Sequence, residues 1–317
     1  MRLKSWFARA GLIVAVSMIT MLAGAGSASA LTLNGDWAPF TRCPVDNPSM
    51  LAADGVTIVA GCIAVDSPSG SVKIGSTAVT TGDTNLQLGL LENNSTPAST
   101  FSGVSPAGGA IQAAPANVPG GLLGLMCPSS IPAISQICAT LVGSPLNTVT
   151  AVVQPAGDPS ELSPFNALGP GRPIVTLPVK IQLQNPILGS NCYIGNDTSP
   201  VALHPENLVA PTGYPEAFDP NGTPDPFPNG VLYAQVLKAT EGDTTFAVPA
   251  ATDCGGLLSA VITPIVNAKI GLPSPSGKNS VVLNSATSDL ATFGYPPAYA
   301  PNEGQQLAAD WHSAVLP

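Results

Sequence analysis

The stretch IVTLPVKIQLQ, residues 174–184, decides the fold class of this chain of 317 residues. Apolar side chains occupy alternate positions along it, with polar residues or proline between them. These apolar residues are Val175, Leu177, Val179, Ile181 and Leu183. A period of two is typical of a β-strand with one buried and one solvated face. Because proline has no N–H to donate to a neighbouring strand, Pro178 predicts a strand at a sheet edge or one with a bulge.

Strand-like segments continue on both sides of this stretch. The 34 prolines and 32 glycines interrupt the chain too often for long helices. Residues 231–239 and 244–248, with turn residues at 241–243, predict a hairpin. The weaker strand candidates are residues 56–65, 72–79, 86–91, 148–154, 280–284 and 290–293. The pattern therefore predicts a mainly β fold, with antiparallel sheets in a sandwich or a barrel-like arrangement.

Two apolar segments, residues 122–142 and 257–270, interrupt the strand pattern. We expect them to form short buried helices packed on a sheet. Insertion into a membrane is the alternative, but the 14 residues of the second segment do not span a bilayer, and no basic flank attracts lipid. The second segment carries a helix stop signal, because Lys269 falls in its last turn and Gly271 can adopt the left-handed cap conformation.

The same motif, Gly-Gly-Leu-Leu, opens each apolar segment, at residues 120–123 and 255–258. A Val-Lys-Ile strand precedes each motif, although the spacings differ, so two related units are an alternative to a single one. The organisation that we predict is an N-terminal β-rich unit at residues 31–153, a Pro/Gly/Ser-rich linker at 154–173, and a C-terminal β-rich unit at 174–317 that ends in a tail helix.

Residues 1–30 have the composition of a secretory signal peptide. Arg2, Lys4 and Arg9 precede the apolar run at residues 10–22, and the small residues 28–30 (Ala-Ser-Ala) form a cleavage signal. We therefore expect a mature chain that begins after Ala30 and is secreted or associated with the cell surface. No second long apolar run follows in the sequence, so we expect no integral membrane anchor.

Six cysteines follow the predicted cleavage site. They are Cys43, Cys62, Cys127, Cys138, Cys192 and Cys254. An even number of cysteines in an exported chain predicts three disulfides that staple the fold. Sequential pairing is the simplest of the possible connectivities, but the sequence alone does not choose among them.

The charge content limits the partners of the chain. Only 9% of the residues are charged, against about 25% in typical soluble domains. Beyond residue 30, seven basic residues face 19 acidic ones. Because a nucleic-acid partner requires a basic stripe that displaces counterions, we expect no nucleic-acid binding.

Three segments carry a resemblance to known proteins. They read VPGGLLGLMCPSSIPAISQIC (residues 118–138), LPVKIQLQNPILGSNCYIG (177–195) and GLPSPSGKNSVVLN (271–284). The chain resembles a group of exported actinobacterial (high-GC Gram-positive) proteins of unknown function. The resemblance implies secretion and disulfides, and it implies no activity and no site residues.

The sequence predicts no catalytic residue. The nearest approach to a nucleophile elbow, residues 103–107 (GVSPA), lacks the final glycine. The two histidines, His204 and His312, fall in a loop before a proline and in the tail helix, where we expect exposed or packing roles. Glu216, Asp219 and Asp225 fall in a proline-rich loop. Nothing in the sequence places two of these carboxylates across a cleft, as glycoside hydrolysis requires.

One loop resembles the start of a calcium site. Asp219, Asn221, Thr223 and Asp225 place oxygen-bearing side chains at alternate positions with a glycine between them. Calcium is the one cofactor that this spacing suggests. The alternative is an ordinary Asp-Pro-Asn-Gly turn, because a bidentate glutamate at the expected distance is missing.

Taken together, these features favour a non-enzymatic role. We expect a secreted structural or surface-interaction protein of the cell envelope or extracellular space, with a partner that the sequence does not identify. The alternatives are an extracellular hydrolase with an unrecognised active site, and a surface-active or pore-forming protein.

Overall fold

The computed structural model describes residues 31–95, 98–225 and 230–317, and the predicted signal peptide lies outside these residues. The strands are β1 (Ile58–Ser67), β2 (Ser69–Ile74), β3 (Thr77–Thr81), β4 (Thr84–Asn93), β5 (Thr100–Val104), β6 (Ile111–Ala113), β7 (Ala116–Asn117), β8 (Thr150–Pro155), β9 (Leu177–Gln184), β10 (Tyr193–Ile194), β11 (Val201–Leu203), β12 (Glu206–Asn207), β13 (Thr212–Phe218), β14 (Val231–Asp243), β15 (Ala251–Thr252) and β16 (Ser280–Phe293). The α-helices are α1 (Pro48–Leu51), α2 (Gly121–Met126), α3 (Pro132–Leu141), α4 (Ser259–Ile270) and α5 (Glu303–Ser313). Short 3-10 helices occupy Gly35–Phe40, Pro145–Asn147, Pro164–Leu168, Gly256–Leu258 and Pro296–Tyr299.

The mainly β prediction is confirmed, with 38% of residues in strands against 23% in helices. The strands form two antiparallel sheets, and along the described residues neither sheet closes into a barrel. The larger sheet follows the order β12-β14-β16-β1-β4-β5, and β2, β3, β6 and β13 pair alongside this path. The smaller sheet follows β15-β10-β9-β8-β7, with β11 also paired to β9.

Strands from both ends of the chain meet in the larger sheet. The long strand β16 pairs with β1, β2 and β14, so the register joins Cys62 to Ala291 and Tyr233 to the same Ala291. Leu31–Pro317 clusters as one compact unit. Residues of the predicted N-terminal and C-terminal units therefore share one sheet.

The strand that decided the fold class is β9, and its predicted alternation is confirmed. Leu177, Val179, Ile181 and Leu183 are all buried. The edge position predicted from Pro178 is wrong, because β9 lies between β8 on one side and β10 and β11 on the other. The proline is tolerated because the ladder to β8 ends at the pair Pro155–Val179 and does not include Pro178.

The hairpin predicted at residues 231–248 is also wrong. β14 continues through the expected turn to Asp243, because Glu241, Gly242 and Asp243 pair with residues 281–283 of β16. β12 pairs with the other edge of the same segment. The local composition of residues 241–243 favours a turn, but long-range pairing on both edges keeps this segment extended.

The first apolar segment forms two helices, α2 and α3, separated by residues 127–131. The second forms a 3-10 turn and then α4, which ends as predicted, with Lys269 in the last turn and Gly271 at φ +81°. Three disulfides are present, and they follow the sequential pairing: Cys43–Cys62, Cys127–Cys138 and Cys192–Cys254.

Two main hydrophobic cores stabilise the unit. One lies between the smaller sheet and helices α2 and α4, and includes Leu122, Ile181 and Ile262. The other covers one face of the larger sheet with the N-terminal segment and α5, and includes Trp37 and Trp311. The opposite face of the larger sheet packs against Leu162 and Val175 in a smaller cluster. It is on this opposite face that a pocket opens.

Candidate functional site

The predicted calcium loop folds as a compact turn. The carboxylate Oδ1 of Asp219 accepts hydrogen bonds from the backbone N–H groups of Asn221 (2.9 Å) and Thr223 (2.8 Å). The backbone of Asp225 donates to Ala217 at 2.8 Å. One carboxylate oxygen of Asp219 therefore stabilises the turn, and no group of three acidic, histidine or cysteine side chains suited to a metal occurs among the described residues. The calcium site stays a prediction.

The two histidines lie in different parts of the unit, each beside a carboxylate. The Nδ1 atom of His204 is 3.6 Å from Oδ2 of the buried Asp243, which also accepts the backbone N–H of His204 at 2.6 Å. The Nε2 atom of His312 is 2.8 Å from Oδ1 of Asp46, and both side chains are about half exposed or more. Each pair joins two separate segments of the chain, which is a structural role.

A buried polar cluster lies at the centre of the larger sheet. The hydroxyl of Tyr233 donates to Asp289, and Nε2 of Gln235 donates to the same carboxylate at 2.9 Å. Burial raises the pKa of Asp289 and of Tyr233. The three side chains satisfy one another inside the protein, so the cluster fixes neighbouring strands rather than facing a ligand.

An open polar cleft of about 630 Å³ lies at one end of this sheet, beside Asp66, Asp83 and Asn85. The guanidinium of Arg42 donates to Oδ1 of Asn85 and to the carbonyl of Gly109 at 3.1 Å. Nδ2 of Asn85 donates in turn to Asp66 at 2.7 Å. These groups tie the N-terminal segment to β4, so their hydrogen-bonding capacity is largely spent within the fold.

The opposite face of the larger sheet forms one wall of an apolar pocket of about 140 Å³. Side chains of β1, β4, β14 and β16 line this wall, and residues 164–175 with Pro205 line the other. Two polar side chains, Glu241 and Ser288, line it as well, and Oγ of Ser288 donates to Oε1 of Glu241 at 3.0 Å. Asp289 also borders the pocket, but its carboxylate is bonded to Tyr233 and Gln235 on the other face.

Sequence reasoning missed this pocket, because it placed Glu241 in an exposed turn. In the structure Glu241 is only 5% exposed, and burial raises the pKa of its carboxyl. Residues 240–243 read Thr-Glu-Gly-Asp, so no local pattern in the sequence indicated that Glu241 is buried.

A second apolar feature lies on the outside of the molecule, on the segments around α2, which contacts both α3 and α4. Six aliphatic side chains there are exposed, and we call them the aliphatic end. They are Ile131 (38% exposed), Val142 (73%), Leu146 (49%), Leu257 (106%), Leu258 (52%) and Val261 (37%). Single exposed apolar residues are common, whereas a group of six from neighbouring segments is typical of an interaction surface.

Covalent and hydrogen-bonded ties hold the segments of the aliphatic end together. The disulfide Cys127–Cys138 links the end of α2 to α3, and Nζ of Lys269 in α4 donates to the carbonyl of Cys127 at 2.9 Å. The turn at residues 185–189 joins the remaining segments. Nδ2 of Asn185 donates to the carbonyl of Leu146 at 2.8 Å, and the carbonyl of Leu188 accepts from Gly255 at 2.7 Å. Leu146 and Leu257 therefore flank the same turn.

The aliphatic end lies in sequence that carries no charge. Residues 93–157, 181–196 and 254–268 contain no Asp, Glu, Lys or Arg. The chain has a strongly acidic balance elsewhere, so this absence is local. The surface offers side-chain hydrocarbon and uncharged polar groups to whatever contacts it.

Comparison of the chain with protein families, with curated proteins and with solved structures returned no match. Among the described residues, no helix has the length and apolar character needed to cross a membrane.

Proposed function

We propose that this is an exported, non-enzymatic protein that attaches to an uncharged lipid surface of the cell envelope through its aliphatic end. The observation that carries the proposal is the side chain of Leu257, which is fully exposed beside Leu258 at 52% exposure. The signal-peptide pattern of residues 1–30 and the resemblance to exported actinobacterial proteins support the location. The three disulfides are compatible with an oxidising compartment.

The chemistry of the aliphatic end favours lipid over a protein partner. Protein interfaces concentrate Trp, Tyr, Phe and Arg at their centres, because these side chains supply most of the binding energy. Residues 118–147 and 254–268 contain none of these four residue types. Leucine, isoleucine and valine are the side chains that enter hydrocarbon at the lowest cost.

The energy available is sufficient for reversible attachment. Complete burial of one leucine, isoleucine or valine side chain contributes about 1.5–3 kcal/mol. Leu257, Leu258 and Val142 are each more than half exposed, so most of this energy is available to an external surface. The disulfide Cys192–Cys254 directly precedes the Gly-Gly-Leu-Leu turn, so little conformational entropy is lost when the turn docks.

The charge distribution favours uncharged lipid. Anionic membranes attract proteins through clusters of Lys and Arg close to the surface. The charge-free segments supply no such cluster, since the one basic residue that directly follows them, Lys269, donates to the carbonyl of Cys127. The acidic remainder of the chain is repelled by anionic headgroups. Attachment driven by hydrocarbon burial alone depends weakly on salt.

The test is flotation of the purified disulfide-intact protein with phosphatidylcholine vesicles. We expect the protein to float, and Leu257→Ser/Leu258→Ser to lower the partition coefficient at least tenfold. The matched control is Val56→Ser/Val209→Ser, which changes two aliphatic side chains of 58% and 55% exposure outside the aliphatic end. We expect this control to float like the parent protein.

Three results would contradict the proposal. They are no flotation, flotation only with vesicles that contain phosphatidylglycerol, and equal loss in the two double variants. Release of an entrapped dye by the parent protein would favour the pore-forming alternative, whereas surface attachment leaves the vesicles sealed.

A further inference from the structure

The apolar pocket on the larger sheet has the form of a small-molecule site. Its volume of about 140 Å³ is close to that of a cavity that holds one benzene molecule, roughly 150 Å³. Ile63, Ala234 and Leu290 contribute side chains from three adjacent strands on the sheet side. Phe165 and Leu168 contribute from the 3-10 helix that faces it.

The pocket is accessible from solvent. Phe165 and Leu168 are 66% and 61% exposed while they line it, so the 3-10 helix forms a rim rather than a seal. Ile63, Ala234 and Leu290 are only partly buried, although they belong to the middle of a ten-stranded sheet. Their exposure is to the pocket and its mouth.

A buried carboxyl in such a wall needs an explanation. Glu241 is 5% exposed, and Ser288 supplies a hydrogen bond of 3.0 Å to one of its oxygens. The backbone of β14 is distorted just before Glu241. The strand shifts register twice between Val236 and Glu241, and Lys238 has a φ of +52°. A buried carboxyl is costly unless hydrogen bonds compensate for lost water. Distorted strands that redirect a side chain are common at binding sites.

We propose that this pocket binds a compact apolar molecule that carries one hydroxyl group, with the hydroxyl bonded to Glu241 and the apolar body between the sheet and residues 164–168. A hydroxyl both donates and accepts, so it pairs with either protonation state of a carboxyl and with the hydroxyl of Ser288. An ammonium ligand only donates, and it would require a second charge to be buried. The proposal is independent of lipid attachment, which concerns a different surface.

The test is isothermal titration of the purified protein with phenol and with toluene, which have similar shapes and differ in the hydroxyl. We expect phenol to bind at least tenfold more tightly than toluene. Glu241→Met removes the carboxyl and keeps an apolar side chain of similar length, so it should lower phenol affinity at least tenfold and leave toluene affinity within about threefold. Glu241→Gln keeps an acceptor oxygen and should retain phenol binding within about threefold.

A second variant locates the site without changing a polar group. Ala234→Leu fills the pocket from β14 and should weaken both probes at least tenfold, with an unchanged circular dichroism spectrum as the sign that the sheet is intact. If Ala234→Leu fails to fold, the Glu241→Met titration alone decides. The proposal is overturned if neither probe binds at millimolar concentration, if toluene binds as tightly as phenol, or if Glu241→Met leaves phenol binding unchanged.

Discussion

The two Gly-Gly-Leu-Leu motifs have the same sequence and the same pair of glycines with positive φ, yet opposite surroundings. Gly120 and Gly255 have φ of +74° and +100°, and the glycine after each has a φ of +55°. A helical turn begins at the second glycine of each motif, an α-helical turn in the first and a 3-10 turn in the second. Leu122 is completely buried, whereas Leu257, its counterpart, is fully exposed.

Local conformation therefore does not decide the burial of these leucines. The first motif is covered by residues 144–147, since a Cβ added to Gly121 would lie 1.9 Å from the carbonyl oxygen of Asn147. A Cβ added to Gly256 would meet no atom within 4 Å. The second motif thus has the sequence of a core element, but no other part of the chain that the structure describes packs over Gly256. This is the physical basis for assigning it an external partner.

Truncating the two leucines tests this contrast most directly. We expect Leu122→Ala to lower the free energy of unfolding by about 3–4 kcal/mol, because it removes a packed side chain and leaves a cavity. Leu257→Ala should change it by less than about 0.5 kcal/mol. Urea denaturation followed by circular dichroism measures both. Similar losses in the two variants would show that Leu257 is packed in solution, and would remove the basis for the aliphatic end.

The sequence predicted the repeated motif but not the difference between its copies. Period-two alternation identified β9, because the order of apolar and polar residues within a strand shows which of its faces is buried. The even number of cysteines, together with the predicted export, predicted three disulfides. The first motif meets Asn147, which lies outside it, whereas a Cβ on Gly256 in the second would meet no atom within 4 Å. No local pattern at residues 255–258 contains that information.

The apolar pocket was hidden from the sequence for a related reason. Glu241, Gly242 and Asp243 have the composition of a turn, and only their pairing with β16 keeps them extended. That pairing brings Glu241 opposite Leu283 and beside Ser288, some 40 residues along the chain. Composition predicted an exposed acid, and tertiary contacts produced a buried one.

The free energy of unfolding should depend on pH because of Glu303 at the start of α5, and this sets the stability against which the leucine variants are measured. This side chain is completely buried, one oxygen accepts from Ala60 at 2.9 Å, and the other has no hydrogen-bond partner among the described residues. Burial raises the pKa of Glu303 from 4.5 to about 7. The folded state therefore holds this proton over a range in which the unfolded chain has lost it.

Stability should fall as the pH rises from about 4.5 to about 7, by up to about 3 kcal/mol. Glu303→Gln should remove the part of this dependence that Glu303 causes, because a neutral amide does not titrate. Burial also raises the pKa of Asp289 and Asp310, which act in the same direction, whereas the pKa of Asp54 is lowered to about 2 and matters only in stronger acid. Urea denaturation at pH 5 and pH 7.5 measures the change, and a parent protein that is equally stable at both values would contradict the prediction.

The paired glycines isolate the contribution of the cover itself. Gly121→Ala and Gly256→Ala impose the same strain on a residue with φ of +55°, about 1–2 kcal/mol. Only the first places a methyl group against the carbonyl of Asn147. We expect Gly121→Ala to cost at least about 2 kcal/mol more than Gly256→Ala in the same denaturation measurement. Equal costs would mean that residues 144–147 move aside freely and do not cover the first motif.

The smallest effect concerns a hydrogen bond that the two motifs do not share. Oδ1 of Asn147 accepts the backbone N–H of Leu123 at 2.9 Å and so caps the first turn of α2, whereas the corresponding N–H of Leu258 donates to the carbonyl of Gly255. Asn147→Ala should lower stability by about 1 kcal/mol, the usual value for a lost cap. Asn147→Asp is the matched control, because it keeps the acceptor and adds a negative charge at a helix N-terminus, where it is stabilising. If Asn147→Ala is as stable as Asn147→Asp, the residue covers the first motif by its backbone alone, and the difference between the two motifs reduces to the packing of Leu122.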